Sequence, residues 1–239
     1  MWNGVKLMGI VNVNGDSFVR QSRTEGTDAF CRRVDELLEK GADIIDIGAV
    51  SSRPGAEEVS AEEEWNRLEP ALETAASRYG GVSFSIDTFR ASIVVRAYQT
   101  VGRFTVNDIS GGQWDAAMIP TVGRIGLRYV AMHLQGNFRT MHDRYLYDDV
   151  TSSVLDYFRR LSHLLREAGV ENWILDPGFG FSKSNDDNME LLRNLDKLKV
   201  LRRPILAGIS QKRFTEGDTG ALEELAVAKG AAIIRTHLI

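Results

Sequence analysis

Eight short, nearly continuous apolar segments recur along the chain, and they restrict its fold more than any other feature. None alternates strictly between apolar and polar residues, so we interpret them as strands covered on both faces, as in a parallel sheet. Parallel strands need a crossover between them, and helix-like stretches separate most neighbouring segments. The segments are LMGIVNV, ADIIDIGAV, VSFSIDT, FTVNDIS, RYVAMHL, NWILDPGF, PILAGIS and AAIIRTHL.

The intervening stretches carry helix signals of two kinds. Some place their apolar side chains at helical spacing on one face, and others begin with a capping residue or end at a glycine. Helices are predicted over Asp28–Lys40, from a capping box at Ser60, and over Val150–Ala168, Asn188–Leu198 and Gly220–Lys229.

Eight strands alternating with helices in 239 residues predict one domain, residues 1–239, folded as a (β/α)8 TIM barrel. A doubly wound open sheet is the alternative, because periodicity does not show closure. No Gly-x-Gly-x-x-Gly motif follows the first segment, which lowers the dinucleotide-binding version of that alternative. The last segment runs to Ile239, the final residue, so we expect a barrel that lacks its last helix.

The composition of the chain limits which binding partners and which cellular compartment we expect. A net charge of −4 argues against a broad nucleic-acid-binding face or a polybasic membrane surface. No apolar run approaches the roughly 18 residues of a membrane span, and the N-terminus lacks signal-peptide features. The single cysteine, Cys31, excludes an internal disulfide and a cysteine-based metal site. We therefore expect a cytoplasmic protein that binds neither nucleic acid nor membrane.

Polar residues end nearly every predicted strand, and in a TIM barrel those ends form the active site. Taken alone, Asp46 has two structural interpretations, as a cap of the following helix or as a hydrogen-bonded core residue. For the whole set, chance placement of polar residues at so many strand ends is a poor explanation. Its members are Asn12, Asp46, Asp87, Asn107, Asp108, His133, Asp176, Ser210, Lys212, Arg235 and His237.

These side chains fall into two chemical groups. Carboxylates, an amide and one cation can bind the edge of a flat heterocycle that carries amino and oxo groups, and Asp87, Asn107, Asp176 and Lys212 form this group. Donors and cations that suit phosphate oxygens form the second group, which comprises Asn12, Ser52, Arg53, Arg235 and His237.

Metal ligation is predicted at one position only. The four histidines show no metal-ligand spacing; we expect His133 to be a hydrogen-bonded core residue and His142 and His163 to lie on the surface. A hard cation such as Mg²⁺ needs only one carboxylate or amide together with substrate phosphates. Asn12 is therefore the candidate metal ligand.

Eight motifs of the chain together resemble dihydropteroate synthase. In order they are MGIVNVNGDSF, GADIIDIGAVSSRPGAEEVSAEEE, SIDTFRA, VNDISGG, AMHLQGN, ILDPGFGFSKSNDDNMELL, GISQKRF and IIRTHL. The family fold is a TIM barrel. The resemblance implies a transferase of folate biosynthesis that condenses 6-hydroxymethyl-7,8-dihydropterin pyrophosphate with para-aminobenzoate, with Mg²⁺, to give dihydropteroate and pyrophosphate.

The resemblance also implies roles for individual residues. Asp87, Asn107, Asp176 and Lys212 match the pterin site, and Asn12, Ser52, Arg53, Arg235 and His237 match the pyrophosphate and metal site. Asp87, Asp176, Lys212 and Arg235 are the expected catalytic residues. Phe181, Ser210 and Arg213 match the aminobenzoate pocket.

Departures from the family pattern keep alternatives open. Asn14-Gly15 replaces the usual Thr-Pro of the first loop, and Gln211 and Arg213 replace an arginine and a small hydroxyl residue. A pterin-binding paralogue without synthase activity is one alternative. A pterin-dependent methyltransferase is another, against which the SSRPG block and the Arg-x-His pair argue. Family homodimers commonly use helices at the end of the barrel, so the missing helix leaves a homodimer open.

Overall fold

The computed structural model describes residues 4–13, 23–143, 145–210, 212–215 and 218–237. Eight parallel strands form one sheet in the order β6-β5-β4-β3-β2-β1-β8-β7. Each predicted apolar segment contains one of them. The strands are β1 Lys6–Asn12, β2 Ile44–Gly48, β3 Ser83–Asp87, β4 Thr105–Asp108, β5 Arg128–Met132, β6 Trp173–Asp176, β7 Leu206–Ala207 and β8 Ile233–Thr236.

The sheet closes on itself between its two edge strands. Leu175 of β6 pairs with Ile205 in a parallel bridge just before β7, and the Leu175 N–H donates to the Pro204 carbonyl at 3.0 Å. The predicted TIM barrel is therefore confirmed, and the open-sheet alternative is wrong. Within the described residues no helix follows β8, which ends at Thr236.

Seven α-helices lie among the described residues, and five correspond to predicted ones. The two that periodicity did not single out, α3 and α4, follow β3 and β4. The helices are α1 Arg23–Glu39, α2 Ala61–Arg78, α3 Ala91–Val101, α4 Met118–Ile125, α5 Val150–Glu167, α6 Asn185–Arg193 and α7 Thr219–Ala228.

Capping side chains set where several helices begin. The Ser60 hydroxyl accepts from the Glu63 N–H at the start of α2, as predicted. The expected helix over Asn188–Leu198 is wrong in its bounds. A full capping box between Ser184 and Asp187 starts α6 earlier, and the stretch after Asn194 continues as a separate 3₁₀ helix, Leu195–Leu201.

Apolar side chains fill the barrel near the N-terminal ends of its strands. They form a buried cluster of Met8, Ile44, Val130, Ile174, Leu206 and Ile233. A larger apolar layer packs between the sheet and the surrounding helices. Most of the predicted site residues lie at or just beyond the C-terminal ends of the strands, away from this cluster. None of the described helices is long and apolar enough to cross a membrane.

Candidate active site

One register row carries three of the predicted site residues across the first four strands. Asn12 pairs with Gly48, Gly48 pairs with Asp87, and Asp87 pairs with Asn107. Asp176 ends β6 opposite Met132 of β5. The last residues of separate strands therefore meet at one end of the barrel, as the sequence predicts.

Arg235 of β8 joins the site residues into one network, in which Asp46 and Asn107 are buried and Arg235 and Asp87 are partly exposed. Its Nε donates to Asp46 Oδ2 at 2.7 Å and its Nη2 donates to Asp87 Oδ2 at 2.8 Å. Asn107 Nδ2 also donates to Asp46 Oδ2, at 3.0 Å. We call Asp46, Asp87, Asn107 and Arg235 the inner network.

Asp46 is the member of the inner network that sequence reasoning left out of the site. Its side chain is fully buried, so of the two interpretations the core hydrogen bond holds and the helix cap does not. Its Oδ1 has no hydrogen-bond partner among the described residues. The sequence did contain a signal for this role of Asp46: it is a lone carboxylate inside the apolar strand IIDIG, and such a charge needs a buried partner.

Burial and neighbouring charges act in opposite directions on the network. Burial raises the pKa of Asp87 to about 7, although the Arg235 guanidinium opposes this rise. Burial lowers the pKa of Arg235, but Asp46 and Asp87 outweigh it and raise that pKa above its usual value. Arg235 therefore stays charged beside the two carboxylates.

Asp176 is a second buried carboxylate at the site. Its Oδ1 accepts the Gly178 N–H at 2.8 Å. Burial raises its pKa, while that N–H and the cations of Lys212, Arg235 and Lys183 lower it. The carboxylate is thus held in place by the backbone and surrounded by positive charge.

Lys212 approaches an aromatic ring of the loop after β6. Its Nζ lies 4.1 Å from the centroid of the Phe181 ring, a cation–π contact. Gly180 allows the approach, because a Cβ there would lie 2.8 Å from Lys212 Cδ and the residue has a φ of +78°. Burial lowers the pKa of Lys212 to about 8. Phe181 is itself 5% exposed.

His237 lies among cations just after β8. Burial and the positive charges of Arg235, Arg53, Lys212 and Arg33 together lower its pKa to about 4. Its Nδ1 has no hydrogen-bond partner within the described part of the chain. A neutral imidazole among guanidinium and ammonium groups marks a position that suits a polyanion.

The residues at the edge of the site are more exposed than the inner network. Asn12 and Arg53 are exposed, and Ser52 is half-buried. The Arg53 carbonyl accepts the Ala56 N–H at 3.0 Å, which forms the turn of the RPGA sequence. We call Asn12, Ser52 and Arg53 the outer rim.

His142 links the loop after β2 to the loop after β6. Its Nε2 lies 2.7 Å from the Ser52 carbonyl, and its ring stacks on Phe181 with centroids 5.2 Å apart. His142 is thus half-buried by contacts that the sequence did not predict, whereas His163 is exposed as expected. Sequence spacing did not indicate this contact, since the three residues lie on three separate loops.

Other predicted residues have structural surroundings of their own. Asp108 accepts from Tyr129 Oη at 2.6 Å and from the Ser110 and Gly112 N–H groups, which satisfies it within the fold. His133 is buried as expected, although its Nδ1 lacks a hydrogen-bond partner among the described residues. Ser210 is buried, and its Oγ accepts the His237 N–H at 3.4 Å.

Several predictions fall outside the described residues. Arg213 begins the short 3₁₀ helix Arg213–Thr215, but its side chain is not described. Asn14, Gly15 and Gln211, the other departures from the family pattern, also lie outside. The roles that the resemblance implies for individual site residues therefore stay predictions.

Comparisons with known proteins show which family the chain is similar to. The family model described as pterin binding enzyme matches residues 8–237. Dihydropteroate synthase of Haemophilus influenzae is 37% identical over 247 residues, which cover 97% of this chain and 88% of that protein. Dihydropteroate synthase of Streptococcus pyogenes is 35% identical over 246 residues, covering 97% of this chain and 89% of that protein.

Solved structures give the same result. Xanthomonas albilineans dihydropteroate synthase with 4-aminobenzoic acid superposes with a TM-score of 0.85 at 33% identity, covering 98% of this chain and 88% of that chain. The Yersinia pestis dihydropteroate synthase in a sulfonamide drug complex has a TM-score of 0.87 at 32% identity, with the same coverage of 98% and 88%. The Xanthomonas albilineans complex with 7,8-dihydropteroate has a TM-score of 0.82 at 30% identity, again covering 98% and 88%.

Proposed function

The chain belongs to the pterin-binding enzymes as a member of the dihydropteroate synthase family, and from that premise we propose that it makes 7,8-dihydropteroate. The amine nitrogen of para-aminobenzoate attacks the methylene carbon of 6-hydroxymethyl-7,8-dihydropterin pyrophosphate. The new C–N bond replaces the C–O bond, pyrophosphate leaves, and the amine proton passes to solvent.

One observation carries the proposal: carboxylates and cations adjoin at a single end of the barrel. Asp87 contacts Arg235 directly. Arg235 also contributes to the positive surroundings of His237, together with Arg53 and Lys212. A substrate that joins a hydrogen-bond-donating heterocycle to a pyrophosphate through one methylene needs the two kinds of site in contact.

The buried polar residues would hold the pterin. Carboxylates accept hydrogen bonds from ring N–H and amino groups, so Asp176 and Asp87 are assigned to those donors of the pterin. The Asn107 side chain donates to Asp46, which fixes its amide orientation and leaves its carbonyl oxygen as an acceptor. Lys212, as the cation, addresses oxo and unprotonated nitrogen positions. Negative charge from the carboxylates also favours the cationic character that develops on the methylene carbon.

The cations would stabilise the leaving group. Negative charge grows on the pyrophosphate oxygens as the C–O bond breaks, and preorganised donors in a desolvated site lower the barrier by a few kcal/mol each, to order of magnitude. Arg235 is held rigidly by two carboxylates. Arg53, Ser52 and the neutral imidazole of His237 supply further donors at the edge of the site.

We propose Mg²⁺ as the cofactor of this step, with Asn12 as its protein ligand. Among the described residues there is no group of three or more His, Cys, Asp or Glu side chains that could hold a metal. The exposed Asn12 amide at the end of β1 nevertheless fits an ion that arrives with pyrophosphate, since Mg²⁺ takes few protein ligands. The ion would supply Lewis-acid stabilisation of the leaving oxygens.

Phe181, Ser210 and Arg213 would border para-aminobenzoate. Phe181 offers an aromatic ring between Lys212 and His142. The resemblance implies Arg213 at the benzoate carboxylate, where an arginine would either pair with that carboxylate or fill its pocket. The attacking amine is already neutral, so no enzyme base is needed to deprotonate it before the attack. No covalent enzyme intermediate is required, and the one cysteine, Cys31, is buried beside Tyr79 and Arg78.

The test combines turnover with binding. The protein is incubated with dihydropterin pyrophosphate, Mg²⁺ and labelled para-aminobenzoate, and labelled dihydropteroate is measured while calorimetry records pterin binding. Product formation supports the synthase. Pterin binding without product would instead identify a pterin-binding paralogue, the alternative that the substitutions at Asn14-Gly15 and Arg213 keep open. Omission of Mg²⁺ should abolish or strongly reduce turnover.

We also propose a cytoplasmic enzyme that acts on these small molecules without nucleic acid or membrane. A homodimer, as in the family, is a further proposal. Equilibrium sedimentation tests it directly, because a monomer mass at micromolar concentration would exclude it.

A further inference from the structure

Lys183 is a buried lysine between β6 and α6 to which neither the motifs nor the proposed reaction assigns a role. Its side chain is only 7% exposed. Its Nζ donates to three backbone carbonyls, those of Gly178 at 3.0 Å, Phe181 at 3.1 Å and His133 at 3.4 Å. An ammonium has three N–H donors, so the carbonyls use all of them. Lys183 thus has no donor left for a substrate.

The three carbonyls belong to segments that position the site. Gly178 is the residue whose N–H holds Asp176 Oδ1. Phe181 carries the ring that contacts Lys212 and His142. His133 follows the neighbouring strand β5, and its N–H donates to the Asp176 carbonyl at 2.9 Å.

The loop from Gly178 to Phe181 lies tightly against β5 around this lysine. A Cβ on Gly178 would fall 1.9 Å from the His133 carbonyl oxygen, and Gly178 has a φ of +72°. Ser182 also has a positive φ, of 50°, and its N–H donates to the Met141 carbonyl at 2.8 Å. Such a turned-back loop brings several carbonyl oxygens together, and a buried cation offsets their partial negative charges.

We propose that Lys183 is a positioning residue for pterin binding: its ammonium holds the loop from Gly178 to Phe181 against strand β5 and so places Asp176 and Phe181. This inference rests on the proposed pterin site and deepens it. The residue acts through two others and contacts no reacting atom.

The charge of Lys183 adds an effect that a purely structural residue would lack. The groups that face Asp176 are the Gly178 N–H, Lys212, Arg235 and Lys183. Burial lowers the pKa of Lys183 to about 7, although Asp176 and Asp187 oppose this fall, so the ammonium carries its charge below neutral pH. The side chain also faces Lys212 and lies beside the neutral His133. Burial raises the pKa of Asp176 and the Lys183 charge lowers it, so a neutral side chain at 183 lets the pKa of Asp176 rise further.

Calorimetric titration with dihydropterin pyrophosphate, without aminobenzoate, tests the proposal across a pH series. Lys183→Met removes the charge and all three donors at similar length, whereas Lys183→Gln loses the charge and one donor and keeps two N–H donors on a shorter side chain. Lys6→Met, at the exposed first residue of β1 at the opposite end of the barrel, is the matched control. We expect roughly tenfold weaker binding for Lys183→Met at neutral pH, a smaller loss for Lys183→Gln, and no change for the control.

The pH profile separates positioning by charge from loss of packing. Because the carboxylate form of Asp176 accepts the pterin donors, binding weakens as the pH falls through the pKa of Asp176, which gives the binding profile an acidic limb. That limb should move to higher pH in both Lys183 variants, by about one unit. In an Asp176→Asn background the same substitutions should not move the profile, since the carboxylate that still titrates there is Asp87, whose pKa is set by burial, Arg235, Asp46, Glu64 and Asp108. Lys183→Gln keeps this comparison available if Lys183→Met does not fold.

The outcomes distinguish this inference from the proposed function. Wild-type affinity and an unmoved pH limb in the Lys183 variants overturn the inference alone. A wild-type protein that binds pterin without turnover overturns the synthase proposal and leaves this test intact. A wild-type protein that binds no pterin overturns both.

Discussion

The inner network and the outer rim differ in what holds their side chains in place. In the inner network, Arg235 and Asn107 are bonded to the fully buried Asp46, and Arg235 also reaches Asp87. In the outer rim, Asn12 and Arg53 are exposed, and Arg53 is placed by a turn of the loop after β2. One region is cross-linked between four strands, and the other depends on local loop conformation.

This difference indicates how the two halves of the substrate would be bound. The proposed pterin site is organised before the substrate arrives, so binding there costs little ordering entropy. The proposed pyrophosphate site is completed by the ligand, whose charges attract exposed cations. Substitutions in the inner network should therefore affect stability and binding together, whereas substitutions in the outer rim should affect binding alone.

The largest effect is expected for Arg235→Met. The substitution leaves Asp46 and Asp87 without their cation, and breaking a buried ion pair costs about 3–5 kcal/mol. Thermal unfolding should show a large loss of stability, and turnover should fall below detection. Arg159→Met is the control, because its ion pair with Asp156 is more than half exposed and worth at most about 1 kcal/mol. Equal stability of the two variants would contradict the inner network.

Asp176→Asn should have the next largest effect, on pterin binding. The amide keeps the size of the side chain but loses one charged acceptor, which costs about 1–3 kcal/mol of binding free energy. Calorimetry with dihydropterin pyrophosphate measures the loss. If the affinity stays at the wild-type value, the pterin contact is assigned to the wrong residue.

A smaller effect is expected at His237, on the boundary between the two regions. Its pKa is about 4, lowered by burial and by four nearby cations. A bound pyrophosphate offsets those cations, so the pKa of His237 should rise, by about one unit or more. Proton NMR titration of the imidazole, with and without pyrophosphate and Mg²⁺, gives this value. An unchanged pKa would mean that the anion binds elsewhere.

Arg53→Met should have the smallest effect on the fold and a measurable one on catalysis. The side chain is exposed, so the unfolding temperature should stay unchanged. The KM for dihydropterin pyrophosphate should rise several-fold, in line with the loss of about 1 kcal/mol for one solvated ionic contact. The wild-type KM should also rise with salt, and that rise should be weaker in the variant. Lower stability of Arg53→Met would show that the outer rim supports the fold.

The sequence by itself determined the eight parallel strands and the chemical types of the site residues. Continuous apolar strands such as ADIIDIGAV, separated by helical stretches, are typical of a parallel sheet that is covered on both faces. The polar residues that end those strands, from Asn12 to His237, meet at one end of the barrel because parallel strands share a direction. The order of the apolar segments and of the polar residues along the sequence was sufficient for these conclusions.

Only the tertiary structure decided which of these residues contact one another. Asp46 and Arg235 are separated by 189 positions, and His142 and Ser52 by 90, and no local pattern connects either pair. Closure of the sheet through Leu175 and Ile205 was likewise not visible in periodicity. Such contacts depend on how far each side chain reaches across the closed barrel, and a linear pattern contains residue types and spacing but no distances through space.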